Sequence, residues 1–189
     1  RGNHQRAGST TNYPTRVSPE GSDALWRAPL IRPKQPAMMY FEDFAVGQST
    51  EFGSVEVTRE EVLEFARKFD PQPFHLSDEA AAKTHFGRLA ASGWHTCAMT
   101  MGLMARASIA FEQAALGSPG VDELRWLKPV YPGDRLTARG EIVETIPSRS
   151  KPEIGVIRSL TTVTNQDSIE VMRFTSIVMY RRRPAGAAD

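Results

Sequence analysis

Apolar and polar positions alternate with strand-like and then helix-like spacing after the first forty residues. The segment STEFGSVEVT has the β-rich, alternating composition of a strand. In the TREEVLEFARKF that follows, apolar residues recur at helical spacing, and Thr58 with Glu61 three residues later forms a capping box. A strand followed by a capped amphipathic helix is therefore predicted.

Two prolines interrupt the helical spacing within FDPQPFH. Because Pro71 and Pro73 disfavour helical geometry in the residue before them and supply no N–H, the helix is predicted to end at Phe69 or Asp70. Asp70 and His75 therefore lie on one stiffened turn.

Two further helices are predicted after this turn. LSDEAAAKTHFG has Ser77 as its N-cap and Gly87 as its stop. The longer WHTCAMTMGLMARASIAFEQAAL is apolar on most of its circumference, so it needs cover on nearly every side. Charged and polar residues interrupt the apolar stretch from Gly93 to Leu116, which makes it a core helix rather than a membrane span.

Strand-like runs fill the rest of the chain after the break GSPG. They are VDELRWLKPV, DRLTARGEIVETI, and the pair IGVIRSLTTVT and SIEVMRFTSIVMY joined by the turn NQD. One buried helix followed by a meander of long strands predicts an α+β fold, an antiparallel sheet wrapped around a long central helix, which is the hot-dog architecture. Because a partner can extend the edge strand of such a sheet, we expect a homodimer.

The length and composition predict one domain. The chain has 189 residues, 40% of them hydrophobic, which is enough for a single core. We place the domain at residues 38–183, with a short tail at 184–189. Residues 1–37 are rich in Gly, Ser, Thr, Asn, Pro and Arg and are expected to form a disordered extension, although Trp26 and Leu30 could dock on the domain.

Charge and cysteine content restrict the partners and the compartment. The formal net charge of +1 gives no field that would predict nucleic-acid or membrane binding, and it leaves a small anionic ligand open. Cys97 is the single cysteine, so no internal disulfide can form. No positively charged segment leads into an apolar one at the N-terminus, and the expected location is the cytoplasm.

Asp70 and His75 are candidates for proton transfer. Phe69 and Phe74 flank them, and low polarity raises the pKa of a carboxylic acid and lowers that of a histidine, bringing both towards neutral pH. The alternative is that Asp70 caps the helix and His75 lies on the surface.

Ser92 and Gly93 stand where the long helix begins. The free N–H groups of the first turn lie at the positive end of the helix dipole and would stabilise a thioester oxygen as it gains negative charge. Gly93 has no Cβ and lets a ligand approach the backbone closely. Ser92 can instead cap the helix while Gly93 eases the turn, and both interpretations can hold at once.

These residues resemble a known family. DPQPFH resembles the D-x-N-P-x-H signature of the MaoC-like, or hydratase-2, dehydratases, with Asp70, Pro73 and His75 at its defining positions. The 18-residue step from His75 to Gly93 is similar to the family's step from signature to helix glycine. ASGWHT and RWLKPVYPGD resemble its later landmarks, and the resemblance extends from Tyr40 to about Arg183.

The resemblance implies hydration of a trans-2-enoyl-CoA to an (R)-3-hydroxyacyl-CoA, or the reverse dehydration. Asp70 and His75 would bind and activate one water, adding its hydroxyl to C3 and a proton to C2. The Gly93 N–H would hold the carbonyl as an enolate-like oxyanion. The family needs no metal or prosthetic group, and the CoA thioester is substrate.

This chain departs from the family pattern at three places. Gln72 stands for the usual Asn, Lys68 and Phe69 for the usual Ser-Gly, and Ser92 for the usual His before the helix glycine. An added methylene changes the reach of the Gln72 amide. Residues 181–183 are further candidates for the CoA phosphates. The predicted substrate contacts are Gln72, Ser92, Trp94, Arg125 and Lys128.

Other chemistry-bearing residues are interpreted as structural. Cys97 is predicted to pack in the core, and His95 to be a satisfied structural histidine. The spacing of His75, His85 and His95 matches no local metal-ligand pattern. Asp134 is expected to shape a turn. Two rival functions remain open: a hot-dog thioesterase, and a catalytically silent acyl-CoA-binding module.

Overall fold

The computed structural model describes residues 26–27, 38–109 and 112–185. Three strands are followed by three helices and then by five strands, and short 3-10 turns occur at Phe41–Asp43 and Pro73–His75. The strands are β1 Trp26–Arg27, β2 Met38–Met39, β3 Ser49–Glu56, β4 Glu112–Gln113, β5 Ala115–Trp126, β6 Arg135–Pro147, β7 Ile154–Thr164 and β8 Glu170–Arg181. The helices are α1 Arg59–Phe69, α2 Asp78–Ala81 and α3 Gly93–Ile109.

One antiparallel sheet organises the domain. Its six strands follow the order β1-β3-β6-β7-β8-β5, and β2 and β4 form a separate parallel pair. Strands β6, β7 and β8 form the predicted meander. Strand β5, which precedes them in the chain, pairs with β8 and forms one edge of the sheet.

The central helix α3 packs against this sheet. Met99 and Leu103 on its inner face are buried among sheet residues such as Val55, Leu136 and Met172. The prediction of an antiparallel sheet around a long central helix is thus confirmed. In the part of the chain described here, no helix is both long enough and apolar enough to cross a lipid bilayer.

Helix α1 lies beside the beginning of α3 and carries the candidate chemistry at its end. Thr58 caps it, accepting a hydrogen bond from the Glu61 N–H at 3.3 Å, and Val62 and Ala66 are its buried residues. The helix ends at Phe69, with Asp70 as its C-cap, as the two prolines predict.

Three predicted boundaries were wrong: the end of α2, the end of α3 and the beginning of β5. Helix α2 is a single turn, because Lys83 and Thr84 donate to carbonyls three residues back and the Thr84 hydroxyl also binds the Ala81 carbonyl at 2.8 Å. Helix α3 ends at Ile109, well before Leu116, because residues 112–113 pair with β2 instead.

The GSPG segment is part of β5 rather than a break before it. The ladder to β8 shifts register between Ala115 and Gly117, and again between Gly117 and Gly120. Both glycines have positive φ, which suits an irregular strand. Pro119 is tolerated because an edge strand has one side without ladder hydrogen bonds.

Two residues of the extension that was predicted to be disordered are ordered against the domain. Strand β1 pairs with β3, with Trp26 opposite Val55. The Trp26 ring fills the space beside Gly102 of α3, where an added Cβ would lie 2.6 Å from it, and the Arg106 guanidinium lies 4.6 Å from the ring centre. Residues 1–25, 28–37, 110–111 and 186–189 lie outside the described residues.

Candidate active site

The turn after α1 brings Asp70 and His75 together. The Asp70 N–H donates to the Ala66 carbonyl at 3.0 Å and closes the helix. The Gln72 N–H then donates to the Asp70 carbonyl at 2.8 Å, and the His75 N–H to the Gln72 carbonyl at 2.9 Å. These bonds, with the fixed φ of the two prolines, hold the segment in one conformation. His75 Nε2 lies 3.6 Å from Asp70 Oδ2.

His75 is buried, and its tautomer is fixed. Nδ1 lies 2.8 Å from the Ala90 carbonyl oxygen. Because a carbonyl oxygen only accepts, Nδ1 carries a proton and donates it there. In the neutral imidazole, Nε2 is then the bare nitrogen that faces Asp70. The rings of Phe74 and Phe86 lie with their centres 4.6 and 5.9 Å from the imidazole and shield it from solvent.

Two donors converge on the Asp70 carboxylate. The Ser92 hydroxyl donates to Oδ2 at 2.6 Å, and the Gln72 amide donates to Oδ1 at 2.8 Å. Both residues are departures from the family pattern, and both contact Asp70 directly. Ser92 also caps α3, because its Oγ accepts from the Trp94 N–H at 3.2 Å.

The pKa of Asp70 is shifted in the direction opposite to the one predicted. Burial alone would raise the pKa of this carboxyl, but the hydrogen bonds from Ser92 and Gln72 outweigh it and lower the pKa below its ordinary value, with a smaller contribution from His75 when its imidazole is protonated. The flanking aromatic residues are visible in the sequence, but the hydrogen bonds from Ser92 and Gln72 become apparent only in the structure. Asp70 is therefore a carboxylate at neutral pH and can accept a proton.

Gly93 opens α3 immediately after Ser92, as predicted, but an indole ring occupies the space beside its Cα. A Cβ at Gly93 would lie 2.6 Å from Cε2 of Trp126, and the indole N–H donates to the Gly93 carbonyl at 2.9 Å. Glycine is thus required by the packing of Trp126, which the sequence did not reveal. Among the described residues, the Gly93 N–H meets no hydrogen-bond acceptor, so it is available to a ligand.

The other three predicted substrate contacts are exposed residues. Trp94 is exposed and meets the Trp126 ring edge-on, with 5.3 Å between ring centres. Arg125 is exposed, and its guanidinium donates to the neighbouring Leu124 carbonyl at 2.9 Å. Lys128 is exposed on the segment after β5.

The arginines at the end of β8 already have acidic partners. Arg182 Nε lies 2.7 Å from Glu42, and Arg183 pairs with Asp43 at 2.5 Å. Both acids belong to the 3-10 turn after β2. These two arginines therefore fasten that turn to the end of the sheet.

The residues interpreted as structural include one that is not satisfied. Burial raises the pKa of the Cys97 thiol, and Asp134 shapes a turn by accepting from the Tyr131 N–H at 2.8 Å. His95, in contrast, is buried with its Nδ1 unpartnered among the described residues. No cluster of His, Cys, Asp and Glu side chains in those same ranges could hold a metal ion.

Solved structures of similar shape share this fold. The MaoC-like dehydratase from Rhodospirillum rubrum superimposes with a TM-score of 0.69 and 37% identity, covering 77% of this chain and 99% of that one. The R-hydratase PhaJ1 from Pseudomonas aeruginosa gives 0.59 and 26%, covering 76% and 86%. A Mycobacterium tuberculosis protein with a double hot-dog fold gives 0.66 at 19% identity, covering 81% and 47%. The domain has the hot-dog fold.

Two curated proteins and one family model are similar to this chain in sequence. The 3-hydroxybutyryl-CoA dehydratase of Methylorubrum extorquens is 31% identical over 122 residues, which are 62% of this chain and 72% of that protein. The Bacillus subtilis protein YdeM is 29% identical over 144 residues, which are 76% of this chain and 100% of that protein. Residues 43–166 match the MaoC like domain. The chain belongs to the MaoC-like family, which includes hydratases and dehydratases.

Proposed function

We propose that the protein hydrates trans-2-enoyl-CoA esters to (R)-3-hydroxyacyl-CoA esters and catalyses the reverse dehydration. The observation that carries this proposal is the pair of acceptors formed by ionised Asp70 and His75 Nε2, 3.6 Å apart. Two acceptors at this distance can each take one O–H of a single water molecule. The similarity to the R-hydratase and the 3-hydroxybutyryl-CoA dehydratase supports the substrate and the configuration.

The proposed reaction adds one water across the C2–C3 double bond. Asp70 and His75 hold the water, and one of them takes a proton from it as the hydroxyl adds to C3. The Gly93 N–H, at the positive end of α3, donates to the thioester oxygen as it gains negative charge. The proton held by the pair is then delivered to C2, so the atoms of one water are all accounted for. Side chains and one backbone amide suffice for every step.

The test is to mix the wild-type protein with crotonyl-CoA and to follow both the enoyl absorbance and the release of free CoA thiol. Hydration removes the enoyl absorbance without releasing free CoA thiol, and we expect this result. Release of thiol would instead establish the thioesterase, and binding of crotonyl-CoA with neither change would establish the silent binding module. Chiral analysis of the 3-hydroxybutyryl product tests the configuration, for which the (S) product would be the contradicting result.

A homodimer is also proposed, because one edge of the sheet and one face of α3 are open. Strand β1 covers part of the β3 edge, whereas none of the described strands pairs with the outer edge of β5. Val121 and Trp126 on β5 are 49% and 47% exposed, and Trp94 and Met101 on α3 are 59% and 57% exposed. Trp94 contacts Trp126, so exposed apolar side chains of α3 and β5 meet at these two rings. A second copy that pairs along β5 would cover these side chains.

Lysine at Val121 is expected to separate this dimer, because it places a charge among these apolar side chains. Sedimentation of the wild-type chain should give twice the mass of one chain, and the Val121→Lys variant the mass of one. Val143→Lys is the matched control, since Val143 on β6 is 42% exposed but lies away from the β5 edge. A monomeric wild type, or equal dissociation of both variants, would contradict the proposed interface.

A further inference from the structure

The two edge strands of the sheet each place a tryptophan against a glycine of α3. Strands β1 and β5 are the outermost of the six strands. An added Cβ would lie 2.6 Å from the Trp126 ring at Gly93 and 2.6 Å from the Trp26 ring at Gly102. Glycine lowers the stability of a helix, so both positions indicate that the indole rings need the space. Both tryptophans thus fasten α3 to the sheet, but only Gly93 bears the candidate oxyanion donor.

The backbone of Trp126 is fixed by the sheet. Trp126 pairs with Met172 of β8 in the ladder, and the N–H of the next residue, Leu127, donates to the Val171 carbonyl at 2.8 Å. Met172 and Val171 are buried in the core. A side chain on such a rigid strand can hold the group that it contacts in one place.

The indole of Trp126 makes a directed contact with the first turn of α3. Its N–H donates to the Gly93 carbonyl at 2.9 Å, and the sulfur of Cys97, one turn further along the helix, also accepts from it. The ring itself covers one face of the Gly93 Cα. The peptide group that follows Gly93 is therefore held from outside the helix.

The peptide group that precedes Gly93 contains the N–H assigned to the thioester oxygen. Within α3 it is held at its oxygen, because the Ser92 carbonyl accepts from the Thr96 N–H at 3.1 Å. The Cα of Gly93 joins the two peptide groups, and glycine allows wider rotation at this atom than any other residue. Since Trp126 holds the second group and covers the Cα, it restricts this rotation and with it the direction of the Gly93 N–H.

We propose that Trp126 is a positioning residue, which keeps the Gly93 N–H directed at the thioester oxygen of the substrate. The inference rests on the proposed function. Trp126 takes no part in the proton transfers and acts through Gly93. Its contribution is largest when the thioester oxygen gains negative charge, so it should affect kcat more than the binding of the uncharged thioester.

The kinetic test replaces Trp126 by phenylalanine, which keeps an apolar ring beside Gly93 and removes the indole N–H. Loss of an oxyanion donor costs about 10²–10³ in kcat, and loss of a group that only directs the donor should cost less. We expect kcat for crotonyl-CoA to fall about tenfold, as for one hydrogen bond, with KM unchanged. Trp26→Phe is the matched control, because it shortens the other tryptophan on α3, beside Gly102, and should leave kcat unchanged.

A spectroscopic test does not depend on turnover. Acetoacetyl-CoA loses a proton from C2 to give a thioester enolate, which absorbs at longer wavelength than the neutral ester. Its negative oxygen is the group that the Gly93 N–H would stabilise. We expect the enolate band to grow on binding to the wild type and to Trp26→Phe, with about a tenfold lower ratio of enolate to neutral ester in Trp126→Phe. Calorimetric affinity for butyryl-CoA, which stays neutral, should be the same in all three proteins.

The two tests separate this inference from the proposed function. No growth of the enolate band with the wild type, an equal band in Trp126→Phe, or equal losses in Trp26→Phe would overturn the positioning role. Weaker binding of butyryl-CoA by Trp126→Phe would also overturn it, because Trp126 would then act on the neutral ester. A band that weakens only in Trp126→Phe, without hydration of crotonyl-CoA by the wild type, would contradict only the proposed function.

Discussion

The Asp70→Asn variant is expected to hydrate crotonyl-CoA about 1,000-fold more slowly than the wild type, with its fold intact. A carboxylate that accepts a proton in the transition state contributes about 10²–10⁴ in rate, and a neutral amide cannot replace it. Asn has the same size as Asp. In the wild type, the Ser92 hydroxyl and the Gln72 amide donate to Asp70 at 2.6 and 2.8 Å, and the Asn amide can still form hydrogen bonds with both side chains. The measurement is kcat from the loss of enoyl absorbance, with circular dichroism to verify the fold.

His75→Ala is expected to cause a loss of similar size, because the second acceptor of the water disappears. The matched control is Asp134→Asn, which removes the charge from a buried, hydrogen-bonded carboxylate on a different turn. It should change thermal stability without changing kcat of the folded protein. Wild-type rates in both Asp70→Asn and His75→Ala would exclude the proposed mechanism.

The local part of the site follows from the sequence because it depends on backbone chemistry. Thr58 and Glu61 predict where α1 begins, and Pro71 and Pro73 predict where it ends. The turn that joins Asp70 to His75 is only five residues long, so its side chains had to be close. The alternation of the later strands likewise predicts a meander, and with it the sheet around α3.

The nonlocal part depends on contacts that sequence spacing does not encode. Ser92 lies 22 positions from Asp70, and its hydroxyl was interpreted as a helix cap and a substrate contact, not as a donor to Asp70. The indole of Trp126, 33 positions from Gly93, occupies the face of this glycine that was assigned to a ligand. The predicted direction of the Asp70 pKa was wrong for the same reason, since the donors that offset burial are not apparent from the flanking phenylalanines.

The ends of helices and strands were mispredicted where a pairing partner decided the conformation. Residues 112–113 continue a helical pattern, yet they pair with Met38 and Met39. The GSPG segment has the composition of a turn, and it joins β5 because β8 is available as a ladder partner. In both cases, pairing with another strand determines the conformation, although the local sequence favours a different one.

Ser92→Ala is expected to lower kcat by about 10- to 100-fold and to move the acidic limb of the pH profile to higher pH. The Ser92 hydroxyl is one of the donors that hold the pKa of Asp70 below its ordinary value against the opposing effect of burial. Without it the pKa rises, so a larger fraction of Asp70 is protonated at a given acidic pH and cannot accept a proton. The measurement is kcat/KM for crotonyl-CoA across pH, which reports groups of the free enzyme.

Loss of the helix cap must be separated from loss of the carboxylate contact. Ser77→Ala is the matched control, because Ser77 caps α2 by accepting from the Ala80 N–H at 3.1 Å and has no hydrogen bond to Asp70 among the described contacts. Each variant should lose about 1 kcal/mol of unfolding free energy. Only Ser92→Ala should shift the acidic limb; an unshifted limb, or the same shift in Ser77→Ala, would mean that the ionisation of Asp70 does not control the rate.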